Sequence, residues 1–289
     1  MTYTQMRLLV LKIKMGMAMA IIKMPLIRIV QLTHIRLMAL GHTGNLDVAD
    51  KIIAPAAADP GGGMIEAGPE ALKEQVREIR AAFAPIHRKV HDIVADDKHV
   101  TVHSTISGKH SAHLSLFPYP VTGEEISMRG VATFRVVDGQ IVEEPWSSWN
   151  YGDIVGPLAA GAVRRYVSDI WNAGNPDLLG EFVTEDHVRH QPGGDVVGTD
   201  ALSSTITALR VGFPDLHFEA TVIPADDLGK TVTRRWVMTG THEGIYADIA
   251  PTGRAVTSTG IGISRFEGGK IAEEWISRDD LGLLAQLGG

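Results

Sequence analysis

The chain repeats itself with an offset of 130 residues. Thr122-Gly123 recurs as Thr252-Gly253, and the stretch Gly139–Glu144 returns as residues 269–274. Such an offset, held over about 100 residues, indicates two copies of one domain. A length of 289 residues fits two domains of ordinary size. The duplication therefore constrains the fold before any single motif does.

The copies predict the domain boundaries. We expect one domain over residues 26–155 and a second over 158–289, joined by Gly152–Pro157. Residues 1–25 fit neither copy, and their apolar runs are too short to span a bilayer. We expect a disordered extension, or translation from a start codon upstream of the true one. A secretory signal and an amphipathic membrane-surface helix are the alternatives.

Composition removes several classes of function. The net charge of −7 gives no reason to expect nucleic acid or an anionic membrane as a partner. The sequence contains no cysteine, which excludes disulfides, thiol nucleophiles and thiolate metal sites. This composition is compatible with a reducing cytoplasm, and we expect a cytoplasmic protein without a stable membrane span.

Within each copy, helices precede strands, which predicts an α+β fold. In the second copy we expect helices over 158–173, 177–183, 201–211 and 281–287, and strands over 216–223, 231–242, 254–266 and 270–278. In the first copy we expect helices over 29–40 and 69–84, and strands over 86–95, 99–107, 124–137 and 140–149.

An ordered set of short motifs in the second copy carries a family resemblance. The set is Arg189-His190-Gln191-Pro192, Phe213-Pro214-Asp215, Gly240–Gly244, Pro251-Thr252-Gly253, and Gly269–Trp275 followed by Asp279 and Leu281–Leu284. In this order and spacing the chain resembles the SnoaL-like polyketide cyclases (ester cyclases) of the nuclear transport factor 2-like superfamily. The match covers essentially all of 158–289, and it is weaker over 26–155.

The resemblance implies two tandem cone-shaped domains, each a curved mixed sheet wrapped by helices around an apolar pocket. It implies ring closure by intramolecular aldol chemistry, or a related enolisation, without metal or cofactor. The substrate would be a hydrophobic polycarbonyl small molecule, and Asp279, four residues past Trp275, would be the acid/base. Because such domains often pair through their sheets, we also expect an internal pseudo-dimer, and a homodimer is a further option.

The residues allow two interpretations of Asp279. On a strand from Lys270, side chains alternate, so Glu273, Trp275 and Asp279 share one face. If that face turns toward the pocket, Trp275 forms an apolar wall and Asp279 stands at its rim with a raised pKa. Alternatively, Asp279 caps the helix that begins at Leu281, or pairs with Arg278.

Two histidines are further candidates. His242 ends a strand, on the face of Trp236 and Met238, and would polarise a substrate carbonyl. Its counterpart His110 favours a structural role instead. His190 is placed in a loop and has no counterpart in the first copy, which favours a role in the pocket.

The remaining pocket residues are expected to be Trp171, Trp236, Trp275, Tyr166 and Met238. The first copy has Ala58 and Asn150 in place of His190 and Asp279, which indicates a degenerate structural partner. Its clustered histidines lie on segments that predict strands, so we expect no metal site.

Three rival functions stay open. One is a hydrolase or isomerase on the same fold, and another is a module that binds a small molecule without catalysis. The third is an oligomerisation module. We lean toward an enzyme, which a closed cavity with a buried Asp279 beside His242 would favour. An Asp279 fully in solvent would instead favour binding or structure.

Overall fold

The computed structural model describes residues 44–58, 68–226 and 228–288. The chain forms two compact units. Unit 1 takes in residues up to Gly108 together with Ser127–Asn150, and unit 2 takes in Lys109–Ile126 together with the chain from Tyr151. Each unit contains one mixed sheet with helices, which confirms the α+β class. The extension over 1–25 and the helix expected at 29–40 lie outside the described residues.

Unit 1 contains a five-stranded sheet. Its elements are a 3-10 turn (Leu46–Val48), α1 (Ala49–Ile52), β1 (Ile53–Ala58), α2 (Pro69–Ala82), β2 (His87–Ala95), β3 (His99–Lys109), β4 (Glu125–Val137) and β5 (Gln140–Trp149). The strand order is β1-β5-β4-β3-β2. The four predicted strands are confirmed to within about two residues. β1 was not predicted, and it pairs in parallel with β5.

Unit 2 contains a six-stranded sheet. Its elements are α3 (Gly152–Arg165), a π-helical segment (Tyr166–Asn172), a 3-10 turn (Pro176–Leu178), α4 (Leu179–Phe182), β6 (Val183–His190), β7 (Val196–Val197), α5 (Thr199–Gly212), β8 (His217–Pro224), β9 (Thr231–Thr241), β10 (Ala255–Glu267), β11 (Lys270–Arg278) and α6 (Asp280–Leu287). The strand order is β7-β6-β11-β10-β9-β8, with β6 parallel to β11. The four long predicted strands are again confirmed. No helix in the described parts of the chain is long and apolar enough to cross a membrane.

The expected linker over 152–157 is wrong, because these residues are the first turns of α3. Pro157 lies inside the helix and cannot donate a backbone hydrogen bond there. Ile154 and Leu158, on either side of it, are buried. Burial of these apolar side chains offsets the lost bond and extends the helix toward its N-terminus.

Side chains of the unit 2 sheet alternate between a buried inner face and an exposed outer face. On β9, Arg234, Trp236 and Met238 are buried, whereas Arg235 is exposed. On β11 the buried side chains are those of Ile271, Ala272, Glu274 and Ile276. The inner face packs on a core of Phe213, Leu216, Trp236, Met238, Val256, Ile276, Leu283 and Leu287.

A segment from the first copy is part of unit 2. The Tyr119 hydroxyl donates to the carbonyl of Gly229 (3.1 Å), and its ring contacts Phe266 at 5.7 Å between centroids. Arg165 Nη1 donates to the carbonyl of Val121 (2.5 Å). Unit 2 therefore takes its contacts from two separate stretches of the chain.

Candidate active site

A narrow cavity lies on the inner face of the unit 2 sheet. Its enclosed part has a volume of about 40 Å³, which holds a few water molecules, and the cavity opens to solvent, so a larger ligand lies only partly inside it. It is lined by Val167, Trp171, Arg189, Leu209, Phe218, Arg234, Trp236, Met238, Tyr246, Ser258, Arg278, Asp280 and Leu283. The cavity combines an apolar wall with several ionisable groups, the composition expected of a small-molecule site.

Aromatic rings form the wall. Phe218 on β8 meets Trp236 on β9 edge to face, with centroids 5.3 Å apart. Phe218 also meets Trp171 of the π-helical segment in the same way, at 5.6 Å. Edge-to-face contacts of this kind fix ring positions. A ligand in the cavity therefore meets a rigid apolar surface on this side.

An ion pair is part of the cavity lining where β11 ends and α6 begins. Arg278 Nε donates to Asp280 Oδ1 at 2.6 Å, and both side chains are partly exposed. Tyr246 lines the same cavity. Burial raises the pKa of the Tyr246 phenol; Arg278 opposes this increase and Asp280 adds to it. The phenol therefore keeps its proton at neutral pH and can donate a hydrogen bond.

A buried charge network forms another part of the lining. Glu274 is fully buried and accepts hydrogen bonds from Arg234 and from Arg189 Nη1 (3.0 Å). Tyr166 (3.3 Å) and Ser264 (3.2 Å) also donate to its carboxylate. Burial alone would raise the pKa of Glu274, but Arg234 and Arg189 hold it well below its usual value. The carboxylate is therefore ionised and acts as the anchor of the network.

His187 adds to this network from β6. Its Nε2 lies 3.4 Å from Glu274 Oε2, and the side chain is fully buried. Arg234 also donates to Ser264 (2.6 Å). Because buried charges need partners, the network fixes both arginines at the cavity surface.

The sequence model of the SnoaL-like polyketide cyclases matches residues 31–159 and again residues 161–287. The chain belongs to the SnoaL-like polyketide cyclase family. The double match also confirms that this family member is a tandem duplicate. No curated protein matches the chain.

Several solved structures resemble one half of this SnoaL-like chain. IdmH from Streptomyces antibioticus is 25% identical, with a TM-score of 0.40, and the match covers 45% of this chain and 99% of IdmH. A Bacillus cereus protein is 29% identical (TM-score 0.39; 45% and 80% covered). A SnoaL-like protein from Jannaschia is 20% identical (TM-score 0.43; 46% and 94% covered).

Asp279 does not occupy the position expected for the acid/base of a SnoaL-like cyclase. Its carboxylate accepts a hydrogen bond from the backbone N–H of Gly282 (2.8 Å) and so caps α6. The side chain is exposed and lies outside the cavity. The placement of Asp279 at the rim of the pocket is therefore wrong, and the capping alternative describes its position. By the criterion stated above, an exposed Asp279 favours binding or structure over catalysis by this residue.

Asp279 and Trp275 lie outside the cavity because their face of β11 is turned away from the core. The predicted alternation is confirmed, but the face with Glu273 and Trp275 points outward, and Trp275 is 41% exposed. Glu274, Ile276 and Arg278 lie on the face that turns inward. The placement of Trp275 in the pocket is therefore wrong.

His190 lies on the outer face, away from the cavity. It is the last residue of β6 rather than a loop residue, and it pairs with Trp275 across the parallel strands. The two rings stack at 5.6 Å. His190 bonds Glu273 through Nε2 and Asp195 through Nδ1, both at 3.0 Å. The prediction of a pocket role for His190 is not supported by this placement.

The outer-face histidine makes stability depend on pH. Hydrogen bonds to Glu273 and Asp195 raise the pKa of His190 above its ordinary value. Its stabilising effect is thus present below about pH 6.5, the unfolded value, and is lost as pH rises through the folded pKa. We expect His190→Gln to destabilise the protein in mildly acidic but not in alkaline solution, as measured by urea unfolding. An NMR titration should show a lower His190 pKa in Glu273→Gln; equal pKa values would contradict this account.

His242 is a structural residue in this arrangement. It is fully buried, its Nδ1 accepts from the backbone N–H of Thr252 (3.3 Å), and its ring packs on Phe213 at 5.4 Å. His110 and Thr122 repeat this geometry, with a corresponding distance of 3.2 Å. The duplicated contact joins the same two turns in each copy, and His242 does not line the cavity.

Three of the five predicted pocket residues line the cavity. They are Trp171, Trp236 and Met238. Tyr166 lies behind the lining and donates its hydroxyl to Glu274. Arg278, considered from the sequence as a partner of Asp279, lines the cavity and pairs with Asp280 instead.

The buried network around Glu274 was not predicted from the sequence. A signal was available, because Glu274 lies in the stretch that both copies retain, and Arg234 shares strand parity with apolar residues on β9. In unit 1, Ser104 lies at the repeat position of Arg234 and accepts hydrogen bonds from Arg88. Burial lowers the pKa of Arg88 to about 10, opposed by Glu144. Unit 1 thus has a similar network, in which Arg88 on the neighbouring strand β2 takes the place of an arginine on β3.

The described residues contain no group of three or more side chains able to hold a metal ion. Among the clustered histidines of unit 1, the rings of His91 and His103 lie with centroids 4.8 Å apart and are tilted by 38°. His91 bonds Thr105 (2.7 Å), and His103 lies 3.7 Å from Asp92.

Proposed function

We propose that unit 2 catalyses enolisation and ring closure of a small, largely apolar carbonyl compound, with Asp280 as the group that removes and returns the proton. The observation that carries this proposal is the Arg278–Asp280 pair within a cavity walled by aromatic rings. Family membership supports a cyclase or a related small-molecule function.

Asp280 has the properties of a general base. Arg278 Nε donates a hydrogen bond to Oδ1 and holds the carboxylate in place at the cavity. Oδ2 accepts no hydrogen bond from the described residues, so it can accept a proton. A base beside an apolar wall abstracts a proton more readily than a hydrated one, because water competes less for its charge.

Tyr246 supports the charge that develops on the substrate. Its protonated phenol is a hydrogen-bond donor in the cavity that Asp280 lines. An oxyanion gains most from donors that are already in place and shielded from water. Ketosteroid isomerase uses an aspartate base with a tyrosine donor in the same way.

The proposed sequence of steps balances without a redox partner. Asp280 removes a proton from carbon beside a carbonyl group, the electron pair of the C–H bond forms a C=C bond, and the π pair of the carbonyl moves to its oxygen. The resulting enolate carbon attacks a second carbonyl of the same molecule and forms the ring. The alkoxide then takes the proton back from Asp280.

Proton exchange tests the first step without knowledge of the natural substrate. We expect the wild-type protein in D₂O to accelerate deuterium incorporation at the activated carbon of some members of a panel of aromatic 1,3-diketones and β-keto esters. Proton NMR measures the rate against buffer and against heat-denatured protein. If no panel member exchanges faster while the folded protein binds it, the proposed chemistry is wrong and a binding role takes its place.

From the sequence, we also propose that the two copies form an internal pseudo-dimer and that the protein is cytoplasmic. A homodimer of the whole chain is a further proposal.

A further inference from the structure

The buried network carries more positive than negative charge. Arg189 and Arg234 are 6% and 5% exposed, and both bond the single carboxylate of Glu274. Asp280 is already paired with Arg278. Among the described lining residues and the network behind them, one guanidinium charge therefore has no counter-charge.

Arg189 also retains an unused donor. Its Nε donates to Gln191 (3.2 Å) and its Nη1 to Glu274 (3.0 Å). Nη2 donates to no group among the described residues. The guanidinium carbon lies 4.8 Å from the ring centroid of Trp171, which holds the fork in place at the cavity surface.

An uncompensated buried cation is costly, and an anion that enters the cavity relieves that cost. The unused Nη2 of Arg189 can donate a charge-assisted hydrogen bond to an oxygen of that anion. Next to it, Trp171 and Trp236 offer an apolar surface to an aromatic or unsaturated skeleton. Both features favour an amphiphilic anion over a neutral ester.

We propose that the cavity recognises a ligand with an anionic oxygen group, a carboxylate or a delocalised enolate, held by Arg189 and Arg234. This deepens the proposed function and rests on it only for the reaction at Asp280. The charged group binds at the arginines, the skeleton lies along the tryptophans, and the reacting carbon faces Asp280.

Benzoate and benzamide test this inference, because they have nearly the same shape and differ in charge. We expect wild type to bind benzoate at least about tenfold more tightly than benzamide by titration calorimetry. Arg189→Met should remove the preference, and Arg189→Lys should keep most of it. Arg189 is the position to change because Glu274 then keeps Arg234 as a partner. Arg235→Met on the outer face of β9 is the matched control and should leave both affinities unchanged.

Equal binding of the two probes by wild type, or no detectable benzoate binding, would overturn the anion site. So would a folded Arg189→Met protein that keeps the preference. If Arg189→Met fails to fold, the probe comparison in wild type and in Arg189→Lys still decides. Retained proton exchange in Asp280→Asn alongside the benzoate preference would leave the anion site standing and remove the acid/base proposal.

Discussion

Replacing Glu274 by glutamine is expected to destabilise the protein by about 3–5 kcal/mol, the cost of breaking a buried ion pair by removing one partner. The amide keeps the size of the side chain but removes the charge that faces Arg189 and Arg234. Its amide NH₂ group would also face the N–H groups of the two arginines, and two donors cannot form a hydrogen bond with each other. Urea unfolding followed by circular dichroism measures the loss.

The adjacent residue provides the control. Glu273 is on the same strand but faces outward, where it pairs with His190 and Arg265 (2.9 Å). Exposed pairs of this kind contribute about 0–1 kcal/mol, so Glu273→Gln should have a small effect. Similar losses in Glu274→Gln and Glu273→Gln would show that the buried network does not hold the fold together.

Replacing Asp280 by asparagine is expected to lower the rate of proton exchange or ring closure by about 10²–10⁴-fold, the usual contribution of a general acid or base. Asparagine keeps the shape and accepts a hydrogen bond from Arg278, but it cannot take up the proton. The rate constant at saturating substrate should fall, while substrate affinity changes little.

The variant Asp279→Ala distinguishes the role of Asp279 from that of the neighbouring Asp280. Loss of its cap on α6 should cost about 1 kcal/mol of stability, while the turnover of the folded protein stays within a few-fold of wild type. If Asp279→Ala abolishes turnover and Asp280→Asn does not, the assignment of Asp280 is wrong.

Element positions could be predicted from the sequence, because strand alternation and turn residues are local signals. The long strands of both units lie within about two residues of the expected positions. The side of the sheet that faces the core could not be predicted from such local signals, because it depends on which helices cover the sheet. The face of β11 with Trp275 was expected to turn toward the pocket, yet Trp275 is exposed and Glu274, on the opposite face, is buried.

The duplication was useful but ambiguous as a guide to the site. It weakened the case for His242, whose contact with Thr252 recurs as His110 with Thr122. It also favoured His190, which distinguishes the copies but lies on the outer face. A residue that differs between the copies is therefore not necessarily functional, because surface positions diverge as well. The shared Glu274, by contrast, anchors the cavity lining in the second copy.

The inclusion of Lys109–Ile126 in unit 2 has a consequence for the history of the chain. Two freshly duplicated domains can be parted by one cut at their junction. Here a single cut near Asn150 would take the Tyr119 hydroxyl from the Gly229 carbonyl and the Val121 carbonyl from Arg165. Recombination at the repeat boundary would therefore transfer the second copy without contacts that now belong to its own unit.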